Sequence, residues 1–175
     1  MGKNITLLLA LLLGCNAWGQ NTFPAAWAGL WAGNLQVVSA TGNQEVPVTF
    51  EVAKQTPTKY TWKFTFNAST GPVVKDYTLL VDTALAGHYI IDEGDGILLD
   101  AYLFAQKLYC TFDVEGRLFF TSYELQNDNL IFEIIYGPFA KHATTGGGKV
   151  DGEDVPTIGV YQTQGLQKAV LKRKM

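Results

Sequence analysis

Residues 97–137 read ILLDAYLFAQKLYCTFDVEGRLFFTSYELQNDNLIFEIIYG, and four strands fall out of them once three turns are placed. Ala105-Gln106, Glu115-Gly116 and Asn127-Asp128 each have the length of a two-residue hairpin turn. Counting outward from them sets Leu103 against Leu108, Leu99 against Phe112, Phe112 against Phe119, Tyr123 against Phe132 and Phe119 against Tyr136. Side chains alternate strictly along a strand, so one face collects Ile97, Leu99, Ala101, Leu103, Leu108, Cys110, Phe112, Phe119, Thr121, Tyr123, Leu125, Leu130, Phe132, Ile134 and Tyr136. None of these residues is charged. A slip of one residue at any turn would destroy that pattern, so the three turns support one another. This face is expected to be the interior.

Upstream, the same period of two recurs and helical periodicity is hard to find. Tyr60, Trp62, Phe64 and Phe66 alternate with Lys59, Thr61, Lys63 and Thr65. Val46, Val48, Phe50 and Val52 alternate with Pro47, Thr49, Glu51 and Ala53. Turn residues at 69–72 and 93–96 divide the rest. The strands are expected near residues 30–40, 45–54, 58–67, 73–82, 87–92, 97–104, 107–114, 117–126, 129–137 and 157–173, the last bent or split at Gly165. An all-β fold follows: a single antiparallel up-and-down β-barrel of about ten strands, because closure leaves no edge to aggregate. A two-sheet sandwich is the runner-up.

The inner face has a pattern of its own. Ala101, Cys110, Thr121 and Ile134 form a cross-strand row of mostly small residues between rows of Leu, Phe and Tyr. Counting back through a four-residue turn at 93–96 adds His88 beside Ala101. Such a row either receives a side chain from the opposite wall, such as Trp62, or leaves a cavity. In the second case His88, Thr121 and the Tyr123 hydroxyl are its polar handles. The opposite face carries Leu98, Phe104, Leu118, Phe120, Ile131 and Ile135, too much apolar surface to leave wet. A partner subunit, the loop at 138–156 or the N-terminal segment is expected to cover it. Otherwise inside and outside are exchanged here, and the row Tyr102, Tyr109, Ser122, Glu133 is the polar end of a pocket.

Residues 1–19 read as an export signal: Lys3, an apolar run from Ile5 to Gly14, then Ala17 and Gly19 before Gln20. The run is about ten residues, half of a bilayer span, and no later stretch is apolar for about 18 residues. No transmembrane span is therefore expected, and the protein should be secreted or reside in the periplasm or cell envelope of a bacterium. Two processing routes compete. Leu12-Leu13-Gly14-Cys15 looks like a lipobox that would place lipid on Cys15, whereas Ala17-Trp18-Gly19 looks like an ordinary cleavage site and is preferred. Removing residues 1–19, and Lys3 with them, takes the net charge from −3 to −4. That acidity excludes nucleic acid as a partner, since no basic field exists to displace phosphate counterions. Charged residues at 17% and aromatic residues at 13% mark a folded domain. The organisation expected is a signal peptide at 1–19, an N-terminal segment at 20–26 and a barrel domain at 27–175.

Motifs for chemistry are thin. His88 and His142 are the two histidines and stand in no metal-ligand spacing. Asp92-Glu93-Gly94-Asp95-Gly96 lacks the full calcium-loop pattern and reads as a tight turn. Gly146-Gly147-Gly148-Lys149 has no Ser or Thr after the lysine and no helix to follow, so it is not a phosphate loop. No serine lies in G-x-S-x-G. Cys110 with His88 can be drawn as a pair, and so can Glu124 with Glu133. A cysteine in mid-strand on an apolar face is an unreactive thiol, and the two glutamates read as solvated strand positions. No enzymatic step is expected. The segment 138–156, with four glycines, is the one long irregular loop and could cap a barrel mouth through Phe139, His142 and Val150.

Gly29-Leu30-Trp31-Ala32-Gly33, at the start of the first strand, resembles the G-x-W signature of lipocalins and other calycins. With its second glycine it is similar to the G-x-W-x-G opening of nitrobindin-like barrels. The resemblance implies that Trp31 plugs a closed end and that a basic residue of the last strand, Lys172 or Arg173, packs over it. It implies a lipocalin-like, calycin-type barrel whose relatives hold small apolar molecules. Two features depart from those families: no helix follows the barrel, and residues 143–175 lack the histidine that binds haem in nitrobindin-like proteins. No cofactor is therefore expected. The expected function is non-covalent binding of a small hydrophobic ligand by Trp31, Trp62, His88, Ala101, Cys110, Phe112, Phe119, Thr121, Tyr123 and Phe132. The alternative is a filled barrel that docks a partner, or a second copy of itself, through Leu118, Phe120, Ile131 and Ile135.

Overall fold

The computed structural model describes residues 22–174; the expected export signal, with Cys15 and both cleavage sites, lies outside the described residues. Nine strands come first: β1 (Gly29–Ser39), β2 (Gly42–Thr56), β3 (Lys59–Ala68), β4 (Gly71–Val81), β5 (His88–Gly94), β6 (Ile97–Phe104), β7 (Lys107–Val114), β8 (Arg117–Gln126) and β9 (Asn129–Pro138). Four short ones follow, β10 (Ala143–Thr145), β11 (Lys149–Val150), β12 (Glu153–Asp154) and β13 (Ile158–Val160), before the last long strand, β14 (Gly165–Arg173). Strands β1 to β9 pair with their chain neighbours, and β14 inserts antiparallel between β9 and β1 to close a ten-stranded up-and-down barrel.

The three decisive turns form as the pairing requires. Both residues of each are left-handed: Ala105 and Gln106 at φ 46° and 71°, Glu115 and Gly116 at 49° and 75°, Asn127 and Asp128 at 50° and 59°. This backbone follows the right-handed twist of the flanking strands, which is why two-residue hairpins favour it. Leu103 faces Leu108, Phe112 faces Phe119, Phe119 faces Tyr136 and Tyr123 faces Phe132. The row Ala101, Cys110, Thr121, Ile134 also forms. Ala101, Leu108 and Leu130 are fully buried while Tyr102, Tyr109 and Phe120 are exposed, so inside and outside are not exchanged.

Three expectations need correction. The turn after β5 is the two-residue Asp95-Gly96, left-handed at both positions, and an irregularity between Asp92 and Gly94 shifts the register by one. Tyr89, not His88, therefore faces Ala101, and His88 pairs with Tyr102 on the outer face. The β6–β7 ladder runs from Ala101/Cys110 to Phe104/Lys107, so Leu99 and Phe112 lie beyond its registered pairs. Residues 138–156 are not irregular, whereas 157–173 is split, as expected for it, into β13 and β14. β10 pairs with β13 and β11 with β12, so the chain between β9 and β14 is an arm of two nested ribbons. The barrel strand starts at Gly165, where the Tyr136 ring lies against the backbone so closely that a Cβ would stand 2.4 Å from its hydroxyl.

One end of the barrel is closed by aromatic side chains. Phe23 packs edge-on to Trp27 at 4.5 Å and to Tyr89 at 4.8 Å, and Trp27 stacks with Trp62 at 6.2 Å between ring centroids. Phe23, from the N-terminal segment expected to precede the barrel domain, thus supplies part of its floor. Trp31 donates its indole N–H to the Trp27 carbonyl at 2.8 Å. Arg173 lies over the Trp31 ring at 4.1 Å, a cation–π contact, and donates to the Ala26 and Ala28 carbonyls. Both glycines of the G-x-W-x-G stretch have a reason. Gly29 has φ 145° and a Cβ there would meet the Arg173 guanidinium, while at Gly33 it would stand 2.6 Å from the Val170 carbonyl of β14.

Candidate functional site

Beyond the aromatic floor the barrel is hollow. A cavity of about 330 Å³ opens at the end where the β3–β4, β5–β6 and β7–β8 turns lie. Phe64 and Phe66 of β3 form one wall, joined by Tyr77 of β4 and Ile91 of β5. Cys110 and Phe112 of β7, Phe119, Thr121 and Tyr123 of β8, and Phe132 and Ile134 of β9 form the other, with Leu99 of β6 between. Stacked pairs stiffen these walls: Phe112 on Phe119 at 5.2 Å, Phe119 on Tyr136 at 5.8 Å and Tyr123 on Phe132 at 5.0 Å. Lys75 and Glu93 are the charged residues of the lining.

The row of small residues explains both halves of the interior. Trp62 reaches from β3 toward β8, where its ring meets Tyr123 edge-on at 5.1 Å, and it fills the space near the floor. Above it, Cys110 and Thr121 present little volume and no opposite side chain reaches them, so the space stays open. Filled core and cavity are therefore stacked along one axis.

Six of the ten residues expected to hold a ligand line this space: Cys110, Phe112, Phe119, Thr121, Tyr123 and Phe132. Ala101 is buried beside Cys110 but below the lining. Trp31 and Trp62 belong to the floor. His88 is outside, with Nδ1 2.7 Å from Asp82, Nε2 3.0 Å from Asp100 and its ring tilted against Tyr102 at 4.9 Å. It therefore has no access to Cys110. The Asp82 and Asp100 hydrogen bonds hold the His88 pKa above its ordinary value, and the bond to His88 holds that of Asp82 below.

The lining from β4 escaped the sequence reading, although a signal for it exists. Taking Ser69-Thr70 as the turn sets Lys75 opposite Phe64 and Tyr77 opposite Trp62, as the structure does. Lys75 and Tyr77 thus project to the same side as the apolar wall. The correct β5–β6 register would likewise have turned Ile91 and Glu93 inward.

Burial raises the pKa of three groups of the lining. Burial pushes the Cys110 thiol up to about 11, so it stays protonated and weakly nucleophilic. Tyr77 is raised to about 12, by burial first and then by the charge and hydrogen bonding of Glu93. Tyr123 is raised by burial. Thr121 donates its hydroxyl to the Cys110 carbonyl at 3.2 Å. Among the described residues no three His, Cys, Asp or Glu side chains are grouped to hold a metal, and no helix is long and apolar enough to cross a membrane.

The arm of β10–β13 leaves the same end of the barrel but does not line the cavity. Phe139, His142 and Val150, expected to cap a mouth, are exposed. Its return leg, residues 161–163, lies instead beside Leu118, Phe120 and Ile135 on the outer wall. The arm covers part of the apolar outer face; Leu98 and Phe104 remain about 60% exposed. No protein-family model matches the sequence, and a search of curated proteins returned no significant match.

Proposed function

We propose that this chain is an exported, calycin-type barrel that binds a small apolar molecule non-covalently and carries out no reaction on it. The observation that supports the reading is the 330 Å³ space itself, walled by seven aromatic rings and open at one end. Ligand cavities are usually preformed, mostly apolar and furnished with few polar groups, and this one has that composition. An apolar cavity of about 150 Å³ accommodates benzene, so twice that volume suits a molecule of about two rings. The buried thiol and tyrosines hold their protons, which suits containment and supplies no activated nucleophile. Export rests on residues 1–19, with ordinary cleavage before Gln20 preferred to lipid on Cys15.

Thr121→Trp tests the reading. The indole would occupy the open space above Trp62, so uptake of naphthalene followed by fluorescence should disappear while circular dichroism and the unfolding midpoint stay near those of the unmodified protein. Binding that survives the substitution would sink the proposal. So would a loss of stability of about 1–3 kcal/mol, the mark of an overpacked core with no room to fill.

A further inference from the structure

The cavity carries its two charges at one place and of opposite sign. Lys75 of β4 and Glu93 of β5 both line it, and β4 and β5 are neighbours in the wall. Thr78 pairs with Asp92, so the adjacent residues Tyr77 and Glu93 lie side by side, with the Tyr77 hydroxyl at the carboxylate. Lys75 is the next residue of β4 on the same face, one step nearer the β3–β4 turn at the mouth. Apolar residues here would have continued the wall. The two strands instead send a cation and an anion into an otherwise uncharged lining.

The two charges do not pair with each other. Among the described residues six ion pairs form, and neither Lys75 nor Glu93 enters one. Lys75 is exposed, whereas Glu93 is half-buried beside aromatic rings, where a carboxylate without a cation is costly. Donors and acceptors are also set apart: the Lys75 ammonium only donates, while the Glu93 oxygens accept, with the Tyr77 oxygen beside them. A ligand with a single negative group would suit Lys75 and be repelled by Glu93. A single positive group would meet the reverse, and an uncharged head would answer neither.

We infer that the mouth receives a zwitterionic head, the α-ammonium and α-carboxylate of a free amino acid whose large apolar side chain fills the aromatic cavity. The inference rests on the cavity reading above and adds to it a charged end of fixed orientation. The side chain goes in first. At the mouth the carboxylate accepts from Lys75 and the ammonium donates to Glu93, and both stay within reach of water. A space suited to about two rings makes tryptophan the natural probe.

The test uses four probes that share one indole: L-tryptophan, tryptamine without the carboxylate, indole-3-propionate without the ammonium, and 3-ethylindole without either. Affinities for the full chain are read at pH 7 and low salt by nuclear magnetic resonance titration. Tryptophan should bind about three-fold more tightly than tryptamine, and about three-fold more tightly than indole-3-propionate, the increment of one partly exposed ion pair in each case. Both ratios should shrink as salt is added. In Lys75→Ala the ratio of tryptophan to tryptamine should fall to about one. In Glu93→Gln the ratio of tryptophan to indole-3-propionate should do so. Tightest binding by indole-3-propionate would make Lys75 the sole anchor and overturn the inference; tightest binding by tryptamine would do the same through Glu93. Equal binding of all four, or tightest binding by 3-ethylindole, overturns it and leaves the apolar cavity standing. Ratios that survive both substitutions put the head elsewhere and overturn it as well. If no probe binds, the cavity reading fails first and takes the inference with it.

Discussion

The two halves of this barrel are built from the same strands and differ in what the facing walls send inward. Near the floor, Phe23, Trp27, Trp31 and Trp62 meet across the axis, and Arg173 seals the outside of Trp31. Toward the mouth, the same strands present Cys110 and Thr121 opposite rings that stop short of them, and the space stays empty. Stability and capacity are thereby separated along the axis. The floor carries the dispersion and burial that hold the strands together, and the mouth can be hollow because the floor is not.

The largest effect should come from the floor. Trp31→Ala removes a fully buried indole, its hydrogen bond to Trp27 and the ring beneath Arg173, and should cost about 3–5 kcal/mol in a denaturant titration. A loss below about 1 kcal/mol would mean that the floor is not where the barrel's stability resides. Phe119→Ala, in the hollow half, should cost at most about 2 kcal/mol, because that ring is only half-buried beside existing space. The same variant should enlarge the cavity and admit three-ring probes that the unmodified protein refuses. If its cost matches that of Trp31→Ala, the two halves are not distinct in the way described.

The smallest effect concerns the outer wall, where Asp82 of the β4–β5 connection grips His88. His88 is raised in the folded state, so the stabilisation it gives is complete below its ordinary pKa of 6.5 and is lost as pH rises through the higher folded value. Asp82 is lowered, so its share is present above 3.8 and is lost as pH falls through the lower folded value. The connection should therefore be best protected from hydrogen exchange between those ordinary values. In a resonance titration of the His88 ring the midpoint should lie above 6.5 and drop in Asp82→Asn, the partner that raises it most. A midpoint unmoved by that change would show that the contact is not kept in solution. Ligand affinity should be indifferent to either change, since His88 has no share in the cavity.

Much of this was legible beforehand, and the misses have a common cause. Three hairpins of two residues each lock register by counting, so Phe112 against Phe119 and Tyr123 against Phe132 could be written down from residues 97–137 alone. The β5–β6 turn spoiled the same arithmetic with one irregular residue between Asp92 and Gly94, and His88 moved from inside to outside. A bulge is chosen by backbone geometry more than by composition, so counting passes over it. In the arm the signal was present and unused: Asp151-Gly152 is a favoured hairpin pair, left-handed at φ 51° and 88°, and it makes the β11–β12 ribbon. Whether Trp62 would fill the row of small residues or leave it open was a different matter. It depends on how far across the barrel one indole reaches, and a list of pairs in register carries no such distance.

The contact between Arg173 and the start of the barrel spans 145 positions of chain to reach Ala28. Every other strand of the wall can find its partner within a hairpin, but the seam between β1 and β14 must wait for all of them. Such a non-local pairing slows folding, because the entropy of a long loop must be lost before the contact returns anything. A chain missing only β14 would have nearly all its walls, yet it would lack both the seam and the guanidinium over Trp31. The β1–β14 seam is what makes the wall continuous around the barrel, and only with it does the cavity have an enclosing wall.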